Sequence, residues 1–196
     1  MTRSTSHPAQ QAISNAIGFD DAPFGKAQTE PVPLVGAVFA GARLDGVVVD
    51  EVTRDGSDVT ATITRIVRDG KFAAHVRLVM LQGATFAGFN VVDAHRLHHD
   101  LAVPVLIVVR RQPDFEAIRD ALLSHIPDGA PKWSLIEALG PMESVNGLYA
   151  QRIGLSLAQA DATLRQLCVH SHMPEPLRVA HLIGGALARG ESRGQP

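Results

Sequence analysis

Residues 15–24 read Asn-Ala-Ile-Gly-Phe-Asp-Asp-Ala-Pro-Phe, an apolar run that ends in two carboxylates. The apolar part, Ala12 to Phe19, is short and leads into a turn that contains a proline and a glycine, so we interpret it as a β-strand. Such a strand would carry Asp20 and Asp21 to the rim of a core. Carboxylate oxygens at a rim suit hard cations such as Mg²⁺ or Mn²⁺, which in turn suit phosphate chemistry.

Two more apolar runs follow the first strand. Residues 34–39 read LVGAVF after a proline pair, and residues 44–52 read LDGVVVDEV after Gly41. Runs of this length, separated by Gly and Pro, are typical of antiparallel strands joined by short turns. Three consecutive strands are therefore predicted at the start of the chain.

The pattern then alternates between helix and strand. Asp58 is a good N-cap residue for a helix with apolar residues at 59, 63, 66 and 67. A buried strand at 76–81, a helix at 91–99, a strand at 101–109 and a helix at 114–124 follow. This order predicts parallel strands with right-handed crossovers. Further segments are predicted at 132–139 (helix), 148–152 (strand), 155–167 (helix) and 176–188 (helix). The predicted fold is α/β, with three antiparallel strands, then parallel ones, and helices on both faces.

Length and composition fit a single domain. The chain has 196 residues, of which 45% are hydrophobic and 19% charged, so it is globular rather than disordered. We expect one domain over residues 13–190, a flexible N-terminus at 1–12 and a loose C-terminus at 191–196. The net charge of −2 is not the signature of a general nucleic-acid binder, so any such contact must rest on a local patch.

Cysteine content and hydropathy restrict the location. Cys168 is the only cysteine, which excludes an intrachain disulfide and a thiolate zinc finger and fits a reducing compartment. No apolar stretch reaches the ~18 residues that span a bilayer. The N-terminal residues lack the apolar region of a secretory signal. A cytoplasmic protein without a membrane segment is expected.

Three features could carry phosphate chemistry. Asp20 and Asp21 are neighbours on a strand and so point to opposite faces, which lets one of them enter a site; the alternative is a solvated turn. The turn at 81–90 (LQGATFAGFN) leaves backbone N–H groups free at the start of a helix, where a phosphate binds, or is a tight connection. Arg110 ends a central strand, where it could hold a phosphate or form a surface ion pair.

The histidines allow several interpretations. Pro174 and Pro176 fix the start of a terminal helix on which Arg178 and His181 share a face. His181 could be a metal ligand, a general acid or an imidazole bonded to a carbonyl. A second group, His95, His98, His99 and Asp100, has the i, i+4 spacing of a zinc helix. It lacks the glutamate of that motif, so structural or solvated histidines are favoured.

Taken in order, these pieces resemble endonuclease V and, more closely, the endonuclease dU family. The resemblance runs from Ile17 to about Arg193. Its specific motifs are Ile17-Gly-Phe-Asp-Asp-Ala-Pro-Phe24, Leu34-Val-Gly-Ala-Val-Phe39, Asp55-Gly-Ser-Asp-Val-Thr60, Thr85-Phe-Ala-Gly-Phe-Asn-Val-Val-Asp93 and Pro174-Glu-Pro-Leu-Arg-Val-Ala-His181. The resemblance implies a ribonuclease H-like fold and Mg²⁺- or Mn²⁺-dependent cleavage of a phosphodiester near a deaminated base, with deoxyuridine in DNA favoured and RNA also open.

The resemblance also implies roles for individual residues. Asp20 matches the first metal carboxylate, Asp58 the second more loosely, and His181 the His or Asp of the terminal helix. Arg110 stands where endonuclease V has a lysine. The residues expected to contact nucleic acid are Gln82, Gly83, Thr85, Gly88, Asn90, Arg110 and Arg178.

The chain departs from the family pattern at Gln82, where endonuclease V has a carboxylate. An amide offers one carbonyl oxygen but no charge, so a single-metal site of Asp20, Asp21, Asp58 and His181 is expected instead. Glu175 could replace the missing acid or could order the start of the helix. The rival hypothesis is a ribonuclease H-like binding module that lost catalysis together with the third carboxylate.

Overall fold

The structure, a computed structural model, describes residues 11–25 and 29–192. Nine strands and six helices account for most of this range. The strands are β1 (Asn15–Asp21), β2 (Val32–Ala40), β3 (Arg43–Val52), β4 (Leu78–Leu81), β5 (Thr85–Phe86), β6 (Asn90–Val91), β7 (Val105–Val109), β8 (Glu143–Val145) and β9 (Leu148–Ile153). The helices are α1 (Val59–Asp69), α2 (Ala94–Leu101), α3 (Phe115–His125), α4 (Gly129–Ala138), α5 (Leu157–Leu167) and α6 (Glu175–Arg189).

One mixed sheet of seven strands forms the centre of the molecule. Its order is β3-β2-β1-β4-β7-β9-β8, and β5 pairs with β6 in a separate hairpin. Strands β1, β4 and β7 run parallel to one another, whereas β2, β3 and β9 are antiparallel to their neighbours. The predicted mixed sheet, with antiparallel strands first and parallel strands next, is confirmed.

The sheet has an apolar core on each face. Because side chains alternate along a strand, Ile17 and Phe19 of β1 enter the core beneath α1 and α2. Ala16 enters the opposite core, which α5 and the start of α6 cover. Asp20 shares the face of Ala16 and therefore lies on the side of the sheet that carries α6.

Helix α6 crosses the first two strands at unusually short range. A Cβ atom on Gly18 would lie 2.5 Å from the carbonyl carbon of Pro176 and 2.8 Å from the amide nitrogen of Leu177. The missing side chain lets the backbone of α6 approach β1 closely. Glycine at this point therefore sets the distance between the first strand and the last helix.

Several boundaries differ from the predicted ones. Residues 85–91 form a two-stranded hairpin, and the helix after it begins at Ala94 rather than at 91. The strand β8 was not predicted; it joins β9 through Asn146 and Gly147, both at positive φ, as two-residue hairpin turns require. Elements of two or three residues carry too little periodicity to be recognised in a sequence.

The structure bears on the predicted lack of a membrane segment, whereas it does not test the predicted domain limits. No helix among residues 11–25 and 29–192 is long and apolar enough to cross a bilayer. The domain limits stay predictions, because residues 1–10 and 193–196, most of both predicted loose ends, lie outside the described residues.

Candidate active site

The carboxylate of Asp20 lies at the end of β1 against the ring of His181. Asp20 is 5% exposed, and its Oδ2 atom lies 2.8 Å from Nδ1 of His181. Its other oxygen, Oδ1, accepts a hydrogen bond of 3.1 Å from the backbone N–H of Asp21. These two residues are 161 positions apart in sequence, so the fold brings together the two ends that the resemblance paired.

The position of His181 follows from the apolar stripe of α6. Leu177, Ala180 and Gly184 are buried at helical spacing, and His181 adjoins this stripe on the side of β1. When Asp20 is ionised, its carboxylate only accepts hydrogen bonds, so the shared proton then lies on Nδ1 of the imidazole. In the neutral ring, Nε2 then keeps its lone pair and forms no hydrogen bond with any described residue.

Asp21 faces the other way, as expected of neighbours on a strand. Its Oδ2 accepts a hydrogen bond of 3.0 Å from the backbone N–H of Ala87, in the hairpin between β5 and β6. Burial, followed by the charge of Asp20, raises the pKa of Asp21 to about 6. Burial also raises the pKa of Asp20, against the hydrogen bond and charge of His181. The carboxylate that meets His181 is therefore Asp20.

Gln82 directly follows β4, the strand that pairs with β1 on the side opposite to β2. Phe19 pairs with Leu81, and the amide of Gln82 donates to the carbonyl of Phe19 at 3.2 Å, so the next step of the ladder places Gln82 beside Asp20. The amide oxygen Oε1 of Gln82 is buried and has no hydrogen-bond partner among the described residues. An unsatisfied buried oxygen normally has a ligand or water to accept from or coordinate.

These donors fit a hard cation in part. Asp20 supplies a carboxylate and Gln82 a neutral oxygen, the ligand types that Mg²⁺ and Mn²⁺ prefer. Among residues 11–25 and 29–192, however, no three His, Cys, Asp or Glu side chains are grouped so as to hold a metal. The predicted set of Asp20, Asp21, Asp58 and His181 is thus not assembled around one point.

Asp58 has a structural role in this fold, and its role as a metal ligand stays a prediction. Its carboxylate accepts hydrogen bonds from the backbone and hydroxyl of Thr53, at 3.1 and 2.8 Å, and from the side-chain amide of Asn90. In return, Oδ1 of Asn90 accepts from the N–H of Val59, the first residue of α1. Both oxygens of Asp58 are used in holding the loop before α1.

The predicted nucleic-acid contacts around the hairpin are corrected in part. Asn90 is fully buried, so it cannot reach a nucleic acid. Gly88 packs against the carboxylate of Asp55, which also accepts from the N–H of Phe89 at 2.8 Å. Thr85 and Gly83 are partly exposed and remain available at the surface.

Arg178 and Glu175 pair with each other. The guanidinium of Arg178 donates two hydrogen bonds, of 2.9 and 2.7 Å, to the two oxygens of Glu175. Glu175, 3% exposed, also accepts from the N–H of His170 at 3.3 Å. Of the two readings of Glu175, the structure favours ordering the start of the helix, and Arg178 is occupied by it rather than free for nucleic acid.

The second histidine group is structural or solvated. His98 Nδ1 is 2.8 Å from the carbonyl of Val103, and His95 Nε2 is 3.1 Å from the carbonyl of Ala138. His99 is exposed and contacts Asp100. These separate contacts leave no shared centre for zinc.

Arg110 completes the row of residues on the edge. Leu81 pairs with Ile107, so Val108 lies beside Gln82, and Arg110 follows two residues later on the same face. Arg110 is exposed and makes no hydrogen bond or ion pair with any described residue. Asp20, Gln82 and Arg110 therefore stand in order along the carboxyl edge of three parallel strands, where open sheets bind ligands.

Comparisons with known proteins found similar chains. A family model described as endonuclease dU matches residues 13–188. A UPF0215 protein of Deinococcus radiodurans is 50% identical over 187 residues, which cover 95% of each chain. A UPF0215 protein of Methanosarcina acetivorans is 42% identical over 186 residues, covering 91% of this chain and 93% of that one.

Solved structures show the same fold. A crystal structure of a protein of unknown function from Archaeoglobus fulgidus superposes with a TM-score of 0.82 at 29% identity, over 88% of this chain and 97% of that one. Endonuclease V of Ciona intestinalis, in complex with a 24mer DNA containing an inosine followed by a ribo-adenosine, gives a TM-score of 0.53 at 12% identity, over 85% and 82%. The predicted ribonuclease H-like fold is confirmed.

Proposed function

The chain belongs to the endonuclease dU family, and from this membership we propose that it is a divalent-metal-dependent endonuclease that cuts DNA beside a deaminated base. The observation that carries the proposal is the contact of 2.8 Å between Asp20 and His181, from opposite ends of the chain, at the carboxyl edge of the sheet. Deoxyuridine is the favoured lesion, on the strength of the family's description. DNA with a deaminated base is the expected partner, and RNA is a second substrate to be tested.

Asp20 and Gln82 would hold the cation. Gln82 follows strand β4 at the position next to Asp20 on β1, and its amide oxygen has no partner among the described residues. When bound, Mg²⁺ or Mn²⁺ supplies a Lewis acid for the phosphoryl oxygens and lowers the pKa of a bound water. With one carboxylate and one amide, this set favours a single weakly held cation over a pair.

His181 would move the proton. Its Nδ1–H is held by Asp20, which fixes the ring and leaves the Nε2 lone pair available. Nε2 is then placed to accept a proton from the attacking water or, once protonated, to return it to the leaving oxygen. The buried carboxylate stabilises the imidazolium formed in between.

Arg110 would hold the strand that is cut. Its guanidinium is fully charged and without a partner among the described residues, and it lies on the face of Asp20 and Gln82. A planar fork of donors suits a phosphate. The partly exposed Gly83 and Thr85, next to Gln82, would border the flipped base.

A second candidate function is binding without cleavage. The observation that favours it is Gln82 itself, a neutral amide in a position where endonuclease V has a carboxylate. Such a module would keep the lesion site and retain modified DNA uncut.

The test is a panel of oligonucleotides with uracil, hypoxanthine or xanthine, in DNA and in RNA, with Mg²⁺ or Mn²⁺. We expect metal-dependent nicking of the uracil-containing DNA, and its loss in Asp20→Asn. Asp45→Asn, on the exposed strand β3, is the matched control and should cut as the wild type does. Tight binding of the lesion without nicking in the presence of either metal would exclude the endonuclease and support the binding module.

A further inference from the structure

We propose that a cationic cleft beside Arg110 binds the sugar–phosphate backbone of the strand that leaves the active site, an inference that rests on the proposed function. The cleft has a volume of about 860 Å³. It is enclosed by the turn between β8 and β9, the last turns of α5, and the loop from 168 to 172. Among its residues, only Arg110 was predicted from the sequence to contact nucleic acid. The others come from segments that lie far apart in the chain.

The cleft is lined by basic side chains. Arg110, Arg165, His170 and His172 line it, and no acidic residue does among those described. In a chain with a net charge of −2, this is the local patch that nucleic-acid binding requires. The lining therefore attracts a polyanion.

The neighbouring acids are already occupied. Glu175 lies behind His170, but its carboxylate is buried and bonded to Arg178 and His170. Asp161 bonds to Nε of Arg165 at 2.8 Å, and the arginine side chain is 67% exposed. Two arginines and two imidazole rings are thus left to donate hydrogen bonds into the cleft.

The cleft shares Arg110 with the proposed active site. Val109 pairs with Tyr149, so the next step of the antiparallel ladder puts Arg110 beside Leu148, which also lines the cleft. From Asp20 the edge crosses β4 and β7, a distance of about 10 Å at the usual strand spacing. A strand whose scissile phosphate lies at Asp20 would pass Arg110 and enter the cleft.

The lining suits a backbone rather than bases. Guanidinium and imidazole N–H groups are donors of the kind that contact phosphate and sugar oxygens. No Phe, Tyr or Trp side chain lines the cleft among the described residues, so it lacks the large rings on which bases stack best. Binding there should be independent of sequence and of the lesion.

The experiment measures binding of a labelled single-stranded oligonucleotide by fluorescence anisotropy, from about 50 to about 200 mM salt. Arg165→Glu should weaken binding at least threefold and reduce the slope of log K against log salt by about 0.7, the value for one lost phosphate contact on a single strand. The effect should be equal with and without uracil.

Arg96→Glu is the matched control. Arg96 is also an exposed helical arginine paired with an aspartate one turn away, at 3.4 Å from Asp100, but it belongs to α2 on the opposite face of the sheet. Both variants change the net charge equally, so only a contact in the cleft separates them. Equal affinity and equal salt slope for the two variants would overturn the proposal.

The remaining outcomes separate this inference from the proposed function. If the wild type cuts DNA and Arg165→Glu binds normally, the proposed function stands and strand binding in the cleft is excluded. If the protein cuts no DNA but its binding depends on Arg165, the cleft stands as a strand-binding surface and the proposed nuclease activity is excluded. Displacement of the oligonucleotide by an acidic peptide at lower concentration would assign the cleft to a protein partner instead, and no binding at all would overturn both.

Discussion

At the scale of single residues, the site depends on how each polar group is satisfied. The carboxylate of Asp20 has an imidazole on one oxygen and a backbone N–H on the other, whereas the amide oxygen of Gln82 beside it has no partner among the described residues. Asp58 is more fully bonded, because each of its oxygens accepts two hydrogen bonds. A sequence shows a carboxylate but not its partners, so the family resemblance paired Asp20 with His181, whereas the bonds of Asp58 to Thr53 and Asn90 became visible only in the structure.

Replacing His181 tests the proposed proton transfer. His181→Ala should lower the cleavage rate by about 10²- to 10⁴-fold, the usual contribution of a general acid or base, with oligonucleotide affinity nearly unchanged. Single-turnover cleavage at saturating enzyme gives the rate. His99→Ala, whose ring is 86% exposed, is the control and should cut normally. An unchanged rate in His181→Ala would exclude the imidazole from the chemistry.

Cys168 should be an unreactive thiol. Burial raises its pKa from 9.0 to about 11, and its Sγ lies 3.1 Å from the carbonyl of His172. At pH 8 this shift leaves about 100-fold less thiolate than a free cysteine has. Alkylation by iodoacetamide should therefore be about 100-fold slower in the native protein than in denaturant, and similar rates in both would contradict the shift.

At the scale of elements, the strong periodic segments could be predicted and the short connections could not. Strands β1 to β3 and helices α1, α5 and α6 are long enough for their apolar period to show. The hairpin of β5 and β6 was predicted as a turn, since its pairing depends on Asp21 and Asp55 from other parts of the chain. Contacts of this kind are absent from any local window of sequence.

Adding one methyl group between β1 and α6 should disturb both stability and the site. In Gly18→Ala the new Cβ meets backbone atoms of Pro176 and Leu177, which cannot rotate away. We expect a loss of about 3 kcal/mol, at the upper end for overpacking, and weaker cleavage because His181 moves with α6. Urea unfolding measures the first effect. Gly25→Ala, with open space around its Cβ, is the control.

The loop before α1 should give the protein an acid-sensitive component of stability. Burial acts against ionisation of Asp58, but hydrogen bonds from Thr53 and Asn90 outweigh it and hold its pKa below 3.8. Because the folded-state pKa is the lower one, the stabilisation is present above the unfolded pKa, about 3.9, and is lost as the pH falls through the folded value.

Asp58→Asn measures this component. The variant should lose about 1 kcal/mol of unfolding free energy at pH 7, a modest value because the carboxylate is partly exposed. The difference from the wild type should shrink below about pH 4, where both carry a neutral group. Urea titrations at pH 7 and pH 3 provide the comparison, and a difference that does not change with pH would show that charge is not involved.

At the scale of the whole molecule, the sheet order explains which predictions could succeed. The order β3-β2-β1-β4-β7-β9-β8 puts the first strand in the middle, so its end adjoins β4 on one side and the last helix above. The motifs implied this convergence only through resemblance to a family. No family motif indicated the cleft beside Arg110. Its basic residues Arg165, His170 and His172 come together only when β8, β9 and α5 are packed in the folded chain.

Divalent cations should stabilise the folded chain as a whole. A cation that binds Asp20 and Gln82 in the native state but not in the unfolded chain adds about 2.7 kcal/mol at 100 times its Kd. Mn²⁺ should therefore raise the melting temperature in a concentration-dependent manner. Asp20→Asn should remove this rise and Asp45→Asn should keep it. Equal shifts in both variants would place the bound cation elsewhere.

The contact between Asp20 and His181 has a consequence for biosynthesis. It joins the first strand of the sheet to the last helix, across 161 residues, so a chain still on the ribosome holds one half of the pair without the other. Long-range contacts of this kind are also slow to form. If the chain is the proposed nuclease, interrupted translation products would carry no working centre and would make no strand breaks in the cell.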